Sequence, residues 1–166
     1  EAFLQRHPDG PIFIFGFTFM IWQYLVVPLL EKSNIINLDR GILLHGGGWK
    51  KLASANVTNE EFKSKIKSSL SINKVVNYYG MVEQTGALYL ECEHGFLHAP
   101  AYSDIIVRRP LDFSVADVGE SGLIQTLSVL PLSYPGHSIL TEDIGYIQGE
   151  DDCKCGTLGK YFKVTG

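Results

Sequence analysis

The spacing of hydrophobic residues differs between the two halves of this chain. In the first half, short apolar runs predict buried strands near Pro11 to Phe15, from Arg40 to His45 and from Lys74 to Val76. Between the last two runs, apolar residues recur at four-residue spacing and predict a helix from Asn59 to Leu70. A helix that connects two parallel strands is the crossover of a βαβ unit, so this half predicts an α/β fold.

The predicted helix has a clear start. Thr58 precedes it as an N-cap residue, and Glu61 follows three positions later to complete a capping box. Phe62, Ile66 and Leu70 then form one apolar stripe. The helix is therefore expected to be scaffold, packed against the sheet.

The longest uncharged stretch runs from Ile12 to Leu30, which meets the length criterion for a transmembrane helix. Gly16, Gln23 and Pro28 interrupt it, however. A buried strand followed by a core helix near Phe19 to Lys32 explains the same composition. We adopt this second interpretation and predict no membrane span.

Beyond residue 86 the pattern changes to the two-residue period of strands. Ala87 to Glu91 and Phe96 to Pro100 predict the arms of a hairpin. Further strands are predicted at Ile105 to Arg108, Leu123 to Val129 and Tyr146 to Gln148. We expect one fragment in two parts, an α/β part with a parallel sheet and crossover helices (residues 1–86) and an appended β-rich layer (residues 87–166).

Composition limits the class of protein. The chain has 166 residues, 45% of them hydrophobic and 19% charged, with a net charge of −4, which is typical of a globular protein with a sizeable core. Lys and Arg are scattered, which argues against a nucleic-acid partner. Three unevenly placed cysteines argue against a disulfide framework and favour the cytoplasm. The chain has no initiator Met, so we expect an internal piece of a longer protein.

The stretch from Asn77 to Gly86 follows a predicted strand, at the sheet edge where α/β folds bind ligands. Tyr79 supplies an aromatic face, Gly80 a close backbone approach and Glu83 a carboxylate. These groups suit a nucleotide base, a phosphate and a divalent cation. An ordinary turn after a strand is the alternative.

Two further segments offer binding groups after apolar strands. Gly46, Gly47 and Gly48 allow a backbone to come within contact distance of a flat ligand, although a flexible turn has the same composition. Asp143 lies after an apolar strand and before a glycine, where a turn carboxylate is the alternative.

The predicted hairpin carries Cys92, His94 and His98, and Cys153 and Cys155 follow much later in the chain. Thiolates and an imidazole are the ligands of structural zinc, and free cysteines with surface histidines are the alternative. A three-residue hairpin loop with a left-handed glycine would turn Cys92 and His98 to the same side and leave His94 at the tip. We therefore prefer His98 as the fourth ligand.

Tyr79 to Glu83, in sequence Tyr-Gly-Met-Val-Glu, resembles the Tyr-Gly-x-Thr-Glu motif of adenylate-forming enzymes. The glycine loop is similar to a Gly-Gly-Glu-Pro-like segment of phenylacetate-CoA ligases. Asp143 matches the aspartate of the Arg-Thr-Arg-Asp-like segment of the superfamily, and some phenylacetate-CoA ligases bind zinc through a similar Cys/His set. Over most of its length the chain resembles the LuxE-type acyl-protein synthetases of bacterial bioluminescence.

The resemblance implies roles for these residues. Tyr79 would stack on adenine, with Gly80 in the same motif and Gly46 to Gly48 as the pocket wall, while Glu83 would hold Mg²⁺ and Asp143 would bind the ribose of ATP. The ligase would activate a long-chain fatty acid to an acyl-adenylate and transfer it to a cysteine thiol of the protein. Its expected partners are the acyl-CoA-type reductase and acyl-transferase subunits of a fatty-acid reductase complex.

Two departures from the superfamily pattern leave other functions open. Val82 stands where a phosphate-binding Thr is usual, so Gln84 or Thr85 would have to replace the lost hydroxyl, and Glu142 replaces an arginine. A phenylacetate-CoA ligase-like acyl- or aryl-CoA ligase and a zinc-stabilised, non-catalytic interaction domain are the alternatives. The phosphate loop is expected upstream and the C-terminal lid domain downstream, so this piece alone is predicted to be inactive.

Overall fold

The computed structural model describes residues 2–47 and 57–166. Their contacts divide the chain into two compact units, Glu1–Asn77 and Tyr78–Gly166. The division falls inside the third strand, β3 (Lys74–Tyr79). The domain boundaries inferred from the sequence pattern stay a prediction.

The first unit contains helices and a small part of the sheet, and the α/β fold class is confirmed. Its remaining elements in chain order are α1 (Ala2–Arg6), β1 (Ile12–Phe17), α2 (Thr18–Ile21), a π-helical turn (Trp22–Val26), α3 (Val27–Glu31), β2 (Gly41–Gly46) and α4 (Asn59–Leu70). β1 and β2 pair in parallel, and β3 is the next strand after β2. The strand and core helix predicted from Ile12 onward are therefore present, but the prediction that the strand is buried is wrong. Ile12 is buried whereas Phe13 and Phe15 are more than half exposed, because successive side chains of a strand point to opposite faces.

The helical run that follows β1 is interrupted at its centre. The π-helical turn directly precedes α3, where Pro28 occupies the first turn. Proline has no backbone N–H to donate to the preceding turn, which explains why the regular hydrogen-bond pattern changes here. Among residues 2–47 and 57–166, no helix combines the length and the apolar character needed to span a membrane.

Helix α4 begins and ends as its sequence predicts. The Thr58 hydroxyl accepts the N–H of Glu61 at 3.1 Å, and the helix ends where Ser71 adopts a left-handed conformation. The predicted apolar stripe is fully buried. The core of the first unit consists of Ile21, Val26, Leu29, Leu43, Phe62, Ile66, Leu70 and Ile72.

The second unit is built mainly from antiparallel strands. After a 3₁₀ turn (Val82–Gln84), they are β4 (Tyr89–Glu91), β5 (Leu97–His98), β6 (Ser103–Arg108), β7 (Gly122–Ser128), β8 (Ser138–Glu150) and β9 (Lys160–Val164). The end of β3 pairs with β4, and the order continues β5-β9-β8-β7-β6. The core is formed by Ala87, Tyr89, Leu97, Ile105, Val107, Ala116, Ile124, Ile147 and Phe162.

Strand β8 is longer than its sequence suggests, and the predicted position of Asp143 after a strand is wrong. Asp143 lies within β8, at an irregularity in its pairing with β7. Leu123 pairs with Ile144 whereas Gln125 pairs with Leu140, so extra residues of β8 face a single residue of β7. A bulge of this kind redirects side chains. Because the residues of this bulge are polar, the local sequence is typical of a turn.

Candidate functional site

Tyr79 and Asp143 come together although 64 positions separate them in the chain. The Tyr79 hydroxyl donates to Asp143 Oδ2 at 2.8 Å. The Tyr79 ring packs edge-on against Phe162, with ring centroids 6.1 Å apart. Burial, reinforced by the hydrogen bond to Asp143, raises the pKa of Tyr79 well above its ordinary value. The hydroxyl therefore stays protonated and remains a donor to the carboxylate.

The β8 bulge fixes the backbone that carries Asp143. The Thr141 hydroxyl donates to the Ile124 carbonyl at 2.8 Å and accepts the N–H of Asp143 at 3.2 Å. Asp143 itself is half-buried. A carboxylate has about four acceptor positions, so the bond from Tyr79 leaves capacity for further hydroxyl donors. The arrangement presents an oriented acceptor for a diol.

The turn after β3 exposes one polar residue and buries the next. Glu83 is exposed, whereas Gln84 is fully buried and its Nε2 donates to the Gly136 carbonyl at 2.9 Å. The N–H of Thr85 donates to the Tyr134 hydroxyl at 3.1 Å. The loop between β7 and β8 therefore holds the turn in place. Tyr134 and Gly136 are not among the predicted site residues, although the Tyr-Pro-Gly turn that contains them is a recognisable local signal.

The structure corrects part of the prediction that Gln84 or Thr85 replaces the missing threonine hydroxyl. Gln84 is buried and engaged with Gly136, so its amide does not face a ligand. Thr85 is exposed, and its hydroxyl donates to the Val82 carbonyl at 2.9 Å. Val82 itself is 81% exposed.

Two segments predicted to bind the nucleotide contain glycines, one at Gly80 and the other at the end of β2. A Cβ atom at Gly80 would lie 3.1 Å from the Leu88 side chain. In the first unit, Gly46 is the buried last residue of β2, and Gly47 has φ +81. Gly48 lies outside the described residues.

A second cluster of the same unit joins the β4–β5 hairpin to the segment between β8 and β9. Ligand atoms of Cys92, His98, Cys153 and Cys155 all lie within 4.8 Å of one another. The hairpin has the predicted register, because the N–H of Cys92 donates to the Phe96 carbonyl and Gly95 is left-handed. His98, rather than His94, is brought to the cysteines.

The distance between two candidate ligand atoms of this cluster matches that in a tetrahedral metal site. Cys155 Sγ and His98 Nε2 are 3.4 Å apart. Zinc ligands at about 2.0–2.3 Å from the ion are separated from one another by roughly 3.3–3.8 Å in a tetrahedron. A turn closed by the Gly156 N–H to the Cys153 carbonyl at 2.9 Å sets the two last thiols side by side. The donor set and the distance between His98 and Cys155 therefore fit structural zinc.

The protonation of the cluster follows from its surroundings. Hydrogen bonding to Thr157 lowers the pKa of Cys155 to about 7. Burial raises the pKa of Cys153 and lowers that of His98, because it disfavours the charged form of each group. The imidazole is thus held in the neutral form that a metal requires.

Sequence comparison identifies one family over nearly the whole chain. The family model described as "Acyl-protein synthetase, LuxE" matches residues 4–166. Among curated proteins, none matches this sequence significantly.

Solved structures similar to this chain are adenylate-forming enzymes. A long-chain-fatty-acid-CoA ligase from Archaeoglobus fulgidus has a TM-score of 0.66 at 14% identity, covering 99% of this chain and 35% of its own. O-succinylbenzoate coenzyme A synthetase from Bacillus subtilis has a TM-score of 0.63 at 17% identity, with coverages of 99% and 33%. ATP-bound MatB from Rhodopseudomonas palustris has a TM-score of 0.59 at 13% identity, with coverages of 93% and 30%. At these identities the likeness shows the fold, and the chain spans about a third of the length of each structure.

Proposed function

Since the chain belongs to the LuxE acyl-protein synthetase family, we propose that it forms the nucleotide-binding part of a ligase that activates a long-chain fatty acid with ATP. The observation that carries this proposal is the family match over residues 4–166. The hydrogen bond between Tyr79 and Asp143 supports it, because it orients a carboxylate where a ribose could be bound. The ATP in the similar MatB structure agrees with this choice of nucleotide.

In the first step of the proposed reaction, a carboxylate oxygen of the fatty acid attacks the α-phosphorus of ATP. A new oxygen–phosphorus bond forms, the bond to the β-phosphate breaks, and pyrophosphate leaves. Asp143 accepts hydrogen bonds from the ribose hydroxyls, a charge-assisted contact that fixes the nucleotide. Tyr79 would stack beside adenine.

Glu83 is the proposed magnesium ligand. Magnesium binds through one or two carboxylates and the phosphates themselves, and it neutralises the charge that develops on them. The exposure of Glu83, on a turn held by Gln84 and Tyr134, supports this role.

The second proposed step transfers the acyl group. A cysteine thiolate attacks the acyl carbonyl, the bond to the phosphate oxygen breaks, AMP leaves and a thioester remains. Cys92, Cys153 and Cys155 are poor acceptors in this scheme, because zinc would occupy their thiolates. We assign that zinc a structural role, since four protein ligands leave no position for a substrate.

The setting of the reaction is part of the same proposal. The protein would act in the cytoplasm within a fatty-acid reductase complex, alongside reductase and acyl-transferase subunits. Bioluminescence is the process in which such complexes are expected.

The experiment uses the complete protein with ATP, magnesium and labelled tetradecanoate, with and without coenzyme A. Label that stays on the protein without coenzyme A, and that neutral hydroxylamine releases, is the expected result. Label found only as soluble acyl-CoA would move the assignment to a phenylacetate-CoA ligase-like enzyme. The absence of any ATP-dependent activation would contradict both and leave a zinc-stabilised interaction domain.

A substitution separates the ligases from the interaction domain. We expect Glu83→Gln to weaken magnesium-dependent ATP binding by about tenfold, since it removes one ionised ligand. Glu93→Gln, at an exposed position of the hairpin loop, is the matched control and should bind ATP as the wild type does. Equal binding by both variants would contradict the role of Glu83.

A further inference from the structure

The turn that carries Glu83 is held from the interior of the second unit by the residue next to it. Glu83 is exposed, whereas the side chain of Gln84 is fully buried. Gln84 Nε2 donates to the Gly136 carbonyl at 2.9 Å and to the Thr126 carbonyl at 3.5 Å. Only the amide nitrogen can donate to two carbonyl oxygens, so these contacts fix the orientation of the amide. The buried amide thereby connects the turn to β7 and to the loop that follows β7.

Gly136 also lies against the backbone of Glu83 itself. A Cβ atom at Gly136 would lie 2.9 Å from the Glu83 carbonyl oxygen and closer still to the ring of Tyr134. Gly136 does not have the positive φ that favours glycine, so close contact is what selects glycine at this position. No side chain therefore fits between the loop and the backbone of the turn.

The loop between β7 and β8 that makes these contacts is closed at its base. The Ser128 N–H donates to the His137 carbonyl at 2.9 Å. Further along the loop, the Tyr134 hydroxyl accepts the N–H of Thr85 at 3.1 Å. The loop thus contacts two successive residues, Gln84 through a buried amide and Thr85 through exposed backbone.

The same two segments of the chain meet at a second place. Tyr79, which precedes the turn, donates a hydrogen bond to Asp143, which follows the loop. Residues 79–85 are therefore joined to residues 134–143 by Tyr79 at one end and by Gln84 near the other. This double connection fixes the backbone of Glu83 relative to the Asp143 carboxylate.

We propose that Gln84 and Gly136 are positioning residues that set the place of Glu83 relative to Asp143 and thereby the affinity for magnesium-bound ATP. This inference rests on the proposed function, in which Glu83 holds magnesium and Asp143 binds the ribose. In this scheme neither Gln84 nor Gly136 touches the nucleotide. Both act through the backbone of Glu83, whose displacement would move a magnesium ligand away from the phosphates and leave the ribose contact in place.

AMP separates the two ends of the nucleotide. It has the ribose of ATP but lacks the β- and γ-phosphates, and magnesium is held between carboxylates and such phosphates. The position of Glu83 should therefore matter for Mg-ATP and little for AMP. A residue that positions Glu83 should change the ratio of the two affinities, whereas a general disturbance of the unit should weaken both alike.

The experiment measures the binding of Mg-ATP and of AMP to the complete protein by titration calorimetry. Gln84→Met keeps the length of the side chain and removes its donor. We expect its affinity for Mg-ATP to fall by about three- to tenfold, since a buried hydrogen bond is lost, and its affinity for AMP to stay at the wild-type level. The magnesium concentration needed for half-maximal ATP binding should rise. Gly136→Ala pushes the loop away from Glu83 and should repeat this effect, which decides the matter if Gln84→Met does not fold.

Ser133→Ala is the matched control. It changes an exposed position of the same loop and should bind both nucleotides as the wild type does. Asp143→Asn is the opposite comparison and should weaken Mg-ATP and AMP together, because both contain the ribose. A Gln84→Met protein that loses affinity for both nucleotides equally, or for neither, would overturn the inference.

Two measurements separate this inference from the proposed function. If Glu83→Gln weakens Mg-ATP binding and Gln84→Met does not, the inference fails and the proposed function stands. Wild-type protein that binds neither nucleotide would contradict the proposed function and the nucleotide role of Gln84 together. Hydrogen exchange then tests the structural part alone: Gln84→Met should speed amide exchange at Gln84→Met itself and at Thr85, Ser133→Ala should not, and unchanged exchange would overturn the anchoring of the turn.

Discussion

Two clusters of the second unit join similarly distant parts of the chain by different kinds of contact. In the first cluster, Tyr79 at the end of β3 donates a hydrogen bond to Asp143 in β8. In the second, Cys92 and His98 of the β4–β5 hairpin meet the Cys153 turn that follows β8. In the first cluster a hydrogen-bond donor, the Tyr79 hydroxyl, is paired with an acceptor, the Asp143 carboxylate. The second gathers three thiols, which are weak hydrogen-bond partners, around one imidazole.

We propose that the first cluster serves chemistry and that the second serves stability. The bond to Tyr79 leaves Asp143 half-buried and with acceptor capacity, as a ligand site requires. In this proposal a bound ion would compensate for placing the groups of the thiol cluster together. Substitutions in the metal cluster should therefore act first on folding, and those beside Tyr79 should act first on the nucleotide.

The largest expected effect is that of His98→Ala. The wild type should contain about one zinc per chain, and the variant should lose it. Its melting temperature should fall by about 10 °C or more, because metal binding contributes several kcal/mol to folding. Metal analysis and thermal unfolding provide the measurements. His94→Ala removes a neighbouring histidine and should keep zinc and stability; equal losses in both variants would contradict the ligand assignment.

Asp143→Asn should have the next largest effect, and it should act on activity. Replacing the ionised acceptor weakens charge-assisted hydrogen bonds, so kcat/KM for ATP should fall by about 10- to 100-fold. Zinc content and melting temperature should change little. Steady-state kinetics at several ATP concentrations test this. Glu142→Gln alters the exposed neighbour and should be close to wild type. If Asp143→Asn mainly released zinc or unfolded the protein, the contrast between the clusters would be lost.

Local sequence determines the parts of the fold that could be predicted. The four-residue spacing of Phe62, Ile66 and Leu70, with the Thr58 cap, identified α4 because each signal acts within a turn of the helix. Gly95 likewise fixed the register of the hairpin, since the loop length determines which residues pair.

Contacts between distant residues explain what the sequence did not reveal. The bulge that carries Asp143 depends on pairing with β7, so its polar residues had the appearance of a turn. The bonds from Gln84 to Gly136 and from Thr85 to Tyr134 depend on how a loop folds back on the motif. The sequence could suggest Tyr79 and Asp143 as site residues only separately, because no local signal joins them.

Gln84→Met tests whether hydrogen bonds hold the turn that carries Glu83 independently of the metal cluster. The substitution keeps the length of the side chain and leaves the Gly136 carbonyl without its donor, which should cost about 1–3 kcal/mol of unfolding free energy. Denaturant unfolding measures the change. Gln148→Met, at an exposed position of β8, should be nearly neutral. Zinc content should stay at the wild-type level in both, and a loss of zinc in Gln84→Met would show that the two clusters are coupled.

Tyr134→Phe should give the smallest effect on the same turn. It removes only the hydroxyl that accepts the N–H of Thr85, and both groups lie near solvent, so water replaces much of the bond. The loss should be about 0.5–1 kcal/mol, or roughly 1–4 °C in melting temperature. Tyr102→Phe, with a similarly exposed ring in the same unit, is the control. A loss from Tyr134→Phe as large as that from Gln84→Met would mean that the loop holds the turn mainly from its exposed side, and the buried amide would no longer be the principal anchor.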